Sequence, residues 1–282
     1  MNYDHHYHAG NFADVFKHVI LVNLISVLKQ KDKPFCIIDA QAGYGLYNIQ
    51  SEQAYKSKEC HHGILPLMQQ PKAPPTIQSY LSIIRELNNN TASPIQQYPG
   101  SSYLASALLR SQDRLIINEC HPNAYETLYT LFRNNPQVAL HERDAYELLP
   151  ALLPPKEKRG LILIDPPFED PHEFQAIIRV LKKSLARFPT GIYAIWYPIK
   201  DESISRFYHT LKALPIKNLL CCEISTTNLQ HNLLGLTACG MVILNAPWQF
   251  EQWIEPALKH LWKTWSHDQE GYYSAKYLVQ EN

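Results

Sequence analysis

From Ser101 onward, short runs of branched apolar residues alternate with longer stretches of helical period. "RLIINE", "QVALHERD", "GLILID" and "GIYAIWYP" read as strands. "SSYLASALLR", "NAYETLYTLFRN", "AYELLPALL", "HEFQAIIRVLKKSLARF" and "SISRFYHTLKAL" read as helices between and after them. Strands that are apolar throughout, each followed by a helix, predict a mostly parallel sheet covered on both faces. In such sheets ligands sit beyond the carboxyl ends of the strands. Four acids stand at those ends: Asp39, Glu119, Asp144 and Asp165.

The same alternation starts earlier and is interrupted. A helix is predicted from about Ala13 to Lys29, with Val15, Val19, Val22 and Ile25 near one face. "FCIID", residues 35–39, is a strand that runs into the glycine turn "AQAGYG". Residues 46–98 then change texture: polar, glutamine-rich pieces alternate with "PKAPP" and "NNNTASP", and one helix lies at about 77–87. These residues are expected to form an inserted helical subdomain, with residues 1–45 and 99–282 forming the main domain. "NLLCCEIS" and "GMVILNAP" are expected to close the sheet as an antiparallel pair.

With 282 residues there is material for one large α/β domain carrying an insertion. Lys plus Arg balance Asp plus Glu at 26 each, so a polyanionic partner would have to be held by a local basic patch. The six cysteines form no CxxC pair and mostly lie in apolar runs, which predicts reduced thiols and a cytoplasmic protein. The first residues, "MNYDHHYHAG", are polar, and "VILVNLISVL" is broken by Asn23 and Ser26. Neither a secretory leader nor a membrane span is expected.

Three stretches carry possible chemistry. In "DAQAGYG" an acid and a G-x-G spacing after a strand let backbone approach a ligand closely, although a tight turn would need the same glycines. A Rossmann-type nucleotide site adds an acid at the next strand end, for ribose hydroxyls. Glu119 is that acid only if the residues between are inserted, which the odd texture of 46–98 supplies. Asp144 could accept from an adenine amino group or cap the helix that begins at Ala145, and the sequence leaves both open. In "IDPPF", Asp165 ends a strand, and Pro166 and Pro167 fix φ and remove two backbone donors. The result is a rigid, acceptor-only rim, and Phe168 offers a flat face beside it. Such a rim fits an exocyclic NH2 on an aromatic ring: one N–H to the carboxylate, one to the Pro166 carbonyl. A simple Pro-Pro loop with a core phenylalanine is the alternative. Finally, "YDHHYHAGNFADVFKH" packs histidines and tyrosines into an arm suited to stacking on bases and contacting phosphate or sugar, with a merely solvated arm as the plain alternative.

Taken together, "YHAGNFADVFKH", "DAQAGYG", "YPGSS", "NECHP", "ERDAYELL" and "GLILIDPPF" resemble the RlmJ-like family of ribosomal-RNA adenine-N6 methyltransferases, over almost the whole chain. The resemblance implies an α/β class I S-adenosylmethionine-dependent methyltransferase fold, Rossmann-like, with an antiparallel terminal strand and a small helical insertion. It implies S-adenosyl-L-methionine as cofactor and an adenine of 23S rRNA as substrate, protein-free or as an early precursor, and a monomer is expected. By the same resemblance His18, Gln41, Ser101, Glu119, Asp144 and Ala145 belong to the cofactor site. Asp165 is the catalytic acid, and Tyr3 is associated with the RNA, beside Pro166 and Phe168. No metal is implied. Gln41 stands where the family often has histidine, Ala145 where it has glycine, and Phe168 where tyrosine is commoner. These changes keep a donor and acceptor, a backbone contact and a stacking face, and none touches the carboxylate.

Three other readings share parts of the pattern. A DNA adenine-N6 methyltransferase would carry the same DPPF tetrad. A nicotinamide-dependent oxidoreductase would need G-x-G-x-x-G, and "GYGLYN" lacks the third glycine. A non-catalytic RNA-binding protein would keep the fold without using Asp165.

Overall fold

The computed structural model describes residues 5–90, 95–200, 203–227, 235–266 and 270–280. Tyr3 lies outside the described residues. A 3-10 turn at His5–Tyr7 leads into helix α1 (Phe12–Lys29) and strand β1 (Cys36–Asp39). The segment that follows holds β2 (Leu46–Asn48), α2 (Glu52–Ser57), a second 3-10 turn (Glu59–His62), α3 (Ile64–Met68), α4 (Pro75–Leu87) and β3 (Gln97–Pro99). Alternation then resumes with α5 (Ser101–Ala107), β4 (Arg114–Asn118), α6 (Pro122–Phe132), β5 (Val138–His141), α7 (Ala145–Leu152), β6 (Gly160–Ile164), α8 (Glu173–Arg187) and β7 (Ile192–Pro198). The chain ends with α9 (Ser203–Lys212), β8 (Asn218–Ser225), β9 (Ala238–Leu244), α10 (Phe250–Trp265) and β10 (Tyr272–Gln280).

Among the described residues one eight-stranded sheet has the order β5-β4-β1-β6-β7-β9-β8-β10. The first five of these strands are mutually parallel, as the alternation predicts. The antiparallel part is larger than expected. β9 lies between β7 and β8 and is antiparallel to both, and β10 adds a further antiparallel edge. Side chains alternate across the sheet: Ile37, Leu115, Ile117, Leu161 and Leu163 enter one core, whereas Ile38, Ile116, Ile162 and Ile164 enter the other. Both faces are thus buried, and this explains why the strands read as unbroken apolar runs.

Helix α1 differs from the one-sided helix expected from its valines. It is buried around nearly its whole circumference from Phe12 to Ile25. The cause is its position: it packs against α4, α5 and α10 and also touches β9. Burying each large apolar side chain here contributes about 1.5–3 kcal/mol. Asn11 caps its start, the Oδ1 accepting from Asp14 N–H at 2.8 Å. The polar interruption at Asn23 is a cross-link: its Nδ2 donates to the carbonyls of Val19 and Thr76, and its Oδ1 accepts from Trp253 Nε1 at 2.8 Å. One side chain therefore joins α1, α4 and α10.

The segment between β1 and α5 leaves and rejoins the sheet at one point. Gly100 N–H donates to the Gly45 carbonyl at 2.8 Å, and β2 pairs with β3 as a separate two-stranded ribbon. α5 packs on β1, the place a helix directly after the glycine turn would occupy. The long spacing between that turn and Glu119 follows from this excursion.

Candidate active site

The strand order reverses at β1, whose neighbours β4 and β6 lead onward in opposite directions. In register, Asp39 lies level with Ile117 of β4 and Leu163 of β6. Glu119 and Asp165 therefore stand two residues beyond that level at the carboxyl edge, on either side of β1. A cavity of 1210 Å3 opens there. Its wall includes His18, Gln41, Ser101, Glu119, Asp165, Pro166 and Phe168. Asp144 and Ala145 are not part of it. Asp144 instead caps α7, its Oδ1 accepting from the N–H groups of Tyr146 and Glu147 at 2.8 and 2.9 Å. Of the two readings left open for Asp144, the described geometry supplies the cap.

At the cofactor end, Glu119 holds the glycine turn in place. Its Oε2 accepts from Gly43 N–H at 2.8 Å and its Oε1 from His121 N–H at 2.9 Å. Gly43 has φ +61°, and a Cβ there would come within 2.3 Å of the Tyr47 hydroxyl. Any larger residue would both strain the turn and fill the cradle. Asn118, one residue earlier, donates from Nδ2 to the Ala40 and Arg143 carbonyls at 2.9 Å each, tying the exits of β1 and β5 together. Ser101, the first residue of α5, donates from Oγ to Asp39 Oδ2 at 2.6 Å. The other oxygen, Asp39 Oδ1, is buried with no hydrogen-bond partner among the described residues. The cradle, with Gly43, Ser101 and Glu119 on the cavity wall, fits a ligand with a flexible polar tail and a ribose, as S-adenosylmethionine has.

His18 faces the same cavity. Its Nδ1 lies 2.8 Å from the Tyr98 hydroxyl, which in turn accepts from Tyr80 Oη at 3.0 Å. Tyr98 is fully buried, so its own proton must go to His18 Nδ1 or remain unpaired. That fixes the tautomer with hydrogen on Nε2. Burial, helped by the Lys17 charge, pushes His18 well below the usual imidazole range, so it is neutral.

At the substrate end a buried charge network reaches Asp165. Lys17 Nζ donates to Asp165 Oδ2 at 2.5 Å and to Asp14 Oδ1 at 2.9 Å. Asp14 Oδ2 pairs with His5 Nε2 at 2.9 Å and accepts from Gly10 N–H at 3.1 Å. Burial opposes the charge on Lys17, but the two carboxylates outweigh it and hold the ammonium well above the usual lysine range. Burial also opposes ionised Asp14, yet His5 and Lys17 keep its carboxyl well below the usual range. Asp165 N–H donates to Gln41 Oε1 at 3.2 Å, so Gln41 braces the DPPF loop from β1. Phe168 has φ +51°, and its ring packs edge-on against Phe174 and Trp196 at 5.0 and 5.8 Å between centroids. Asp14, Lys17, Asn118 and Trp196 are the site neighbours that sequence reading misses. The signal available was a lysine and an aspartate inside an otherwise apolar buried helix.

Asp39 gives a pH test of this geometry. Burial, more than the nearby Asp165 and Glu119 carboxylates, pushes its carboxyl up to about 7 against the Ser101 hydrogen bond and the Lys17 charge. The native state then keeps a proton that the unfolded chain gives up above pH ~4. Stability from this group is full below that pH and is lost as pH rises towards 7, by up to about 1.4 kcal/mol per pH unit. In urea titrations, Asp39→Asn should gain on the wild type between pH 5 and 7 and then run level with it. A gap that stays constant over that range would mean that Asp39 is ionised throughout.

Comparison with known proteins places this architecture. A family model described as "Ribosomal RNA large subunit methyltransferase D, RlmJ" matches residues 32–279. The chain is similar to ribosomal RNA large subunit methyltransferase J of Escherichia coli K12, at 36% identity over the full length of both chains. The Haemophilus influenzae protein of the same name is 35% identical, again over the full length of both. A crystal structure of a Legionella pneumophila protein shares 35% identity and a TM-score of 0.86, covering 95% of this chain and 98% of that one. With a sheet that reverses at the glycine turn and a DPPF rim at the next strand end, this chain belongs to the RlmJ family of ribosomal RNA large subunit methyltransferases.

Proposed function

We propose that this protein methylates the N6 amino group of an adenine in 23S rRNA, using S-adenosyl-L-methionine. The observation that carries the reading is the side-by-side placement of a nucleotide cradle around Gly43, Ser101 and Glu119 and an acceptor rim at Asp165-Pro166, in one cavity. When bound, S-adenosylmethionine supplies a methyl group made electrophilic by the attached sulfonium. Everything else is positioning by the protein. The adenine amino lone pair is delocalised into the ring and is a poor nucleophile. N6–H bonds to the Asp165 carboxylate and the Pro166 carbonyl favour a more tetrahedral nitrogen and aim its lone pair. Such orientation is worth up to about 7–11 kcal/mol of barrier in ideal cases. Lys17 donates to Oδ2 of Asp165 and so fixes the orientation of the carboxyl group on the rim. As positive charge develops on N6, Asp165 takes the departing proton. Phe168, backed by Trp196 and Phe174, bounds the base pocket.

A base within a duplex cannot reach this cavity, so the adenine must be flipped or unpaired. That favours protein-free rRNA or an early precursor, met in the cytoplasm, as substrate. One chain supplies both ends of the cleft, so a monomer suffices. The segment 46–98 is proposed as an inserted subdomain, and the Tyr3 arm as an RNA contact. Among the described residues no helix is long and apolar enough to cross a membrane.

The test is direct. Purified protein, labelled S-adenosylmethionine and an in vitro transcript of 23S rRNA should yield N6-methyladenosine after digestion to nucleosides, with duplex DNA unlabelled. Label on DNA alone, or on a ring nitrogen or ribose, would overturn the reading.

A further inference from the structure

The cavity does not end at the base pocket. Its wall also includes His61 and His62 of the second 3-10 turn and Thr264 and Trp265 at the end of α10, besides Asp165 and Trp196. Its volume, 1210 Å3, exceeds the ~300–1,000 Å3 usual for a small-molecule pocket. A flipped adenine arrives tethered to a phosphate on each side, so an enzyme acting on it needs such a continuation for the strand.

Both histidines are exposed, and the exposed Lys200 lines the same cavity. The acid on this wall, Glu59, is already engaged: His8 Nδ1 and Asn11 Nδ2 each lie 2.9 Å from its carboxylate oxygens. The turn bearing the histidines is also tied to the chain just before α1 and to the end of α10. Ile64 N–H donates to the Gly10 carbonyl at 2.9 Å, and Trp265 Nε1 donates to the Gly63 carbonyl at 2.9 Å. The backbones approach so closely that a Cβ on Gly63 would lie 2.1 Å from the Gly10 oxygen. The backbone that carries the two histidines is thus fixed relative to the start of α1, in a chain whose formal net charge is zero and whose phosphate contacts must be local.

We propose that His61 and His62 are positioning residues that hold a backbone phosphate of the RNA strand beside the target adenine. The proposal rests on the function proposed above and names the part of this cleft that grips the strand. The experiment compares wild type, His61→Ala/His62→Ala and His61→Arg/His62→Arg on a 23S rRNA transcript. The alanine pair should raise KM and the Kd for transcript about five- to tenfold, with kcat changed less than about twofold. Its melting temperature and its Kd for S-adenosylmethionine should match the wild type. The arginine pair should restore binding and steepen its salt dependence, by a slope of about 0.7 for each phosphate newly held by a full charge. An unchanged KM and salt slope in both variants would overturn the proposal, as would a fall in kcat at constant KM. If the wild type bound transcript without methylating it, and the alanine pair lost that binding, the functional reading would fail and this one would stand.

Discussion

Replacing Asp165 by alanine is expected to lower methyl transfer to 23S rRNA at least about a hundredfold while leaving transcript binding within about threefold. The variant removes the acceptor that orients N6–H and receives its proton. It leaves the glycine cradle, the His18–Tyr98–Tyr80 chain and the His61–His62 rim in place. The fall should therefore appear in kcat more than in KM. Single-turnover transfer from labelled S-adenosylmethionine, alongside filter binding of the transcript, separates the two. A variant with wild-type kcat would take Asp165 out of the mechanism, and one that no longer bound RNA would make it a binding residue.

The second large effect is expected at Lys17. Lys17→Met keeps the length of the stem and removes the ammonium that sits between Asp14 and Asp165. Two carboxylates would then lose their shared ammonium in a buried site, and among the contacts described Asp14 would keep His5 Nε2 and the Gly10 N–H. Breaking a buried pair in this way costs about 3–5 kcal/mol. The sign of the pH effect follows from Asp14, whose carboxyl is held low in the native state. Its contribution is present above the usual carboxylate range and is lost as pH falls through the native value. Without Lys17 that depression shrinks, so acid takes less from the variant than from the wild type, and the deficit should be smaller at pH 4 than at pH 7. Urea denaturation at pH 7 and pH 4 measures both. A loss below about 1 kcal/mol at pH 7 would show that the network contributes little and that water or another cation replaces Lys17.

Most of the sheet is legible in the sequence because both its faces are buried. Strands that need no polar side are unbroken apolar runs, and "FCIID", "RLIIN" and "GLILI" are hard to read otherwise. The acids at strand ends are legible for a topological reason, since a parallel sheet gathers all of those ends on one edge. The C-terminal pair α10 and β10 is missing from the reading. Pro256 lies inside α10, where it looks like a breaker. β10 is half-buried except at the exposed Lys276 and Gln280, without the run of apolar residues that marked the central strands. Helix α1 reads as one-sided because periodicity reports the residues, whereas its full burial is imposed by α4 and α10, which arrive from distant sequence. The same distance hides the Lys17–Asp165 pair, which lie 148 residues apart. Asp144 shows the opposite problem: one residue type serves equally as ligand acceptor and helix cap, and geometry is needed to tell which hydrogen bonds are made.

The hydrogen bond between Gly45 and Gly100 has a consequence for how this chain can vary. Because the excursion begins and ends at a single point, its loops can lengthen or shorten without disturbing the register of any strand. Its helices cannot be trimmed in the same way. Removing α4 would uncover the apolar part of α1 that it packs against, and the shortened protein would self-associate through that surface. Length is therefore free in this part of the molecule, and surface is not.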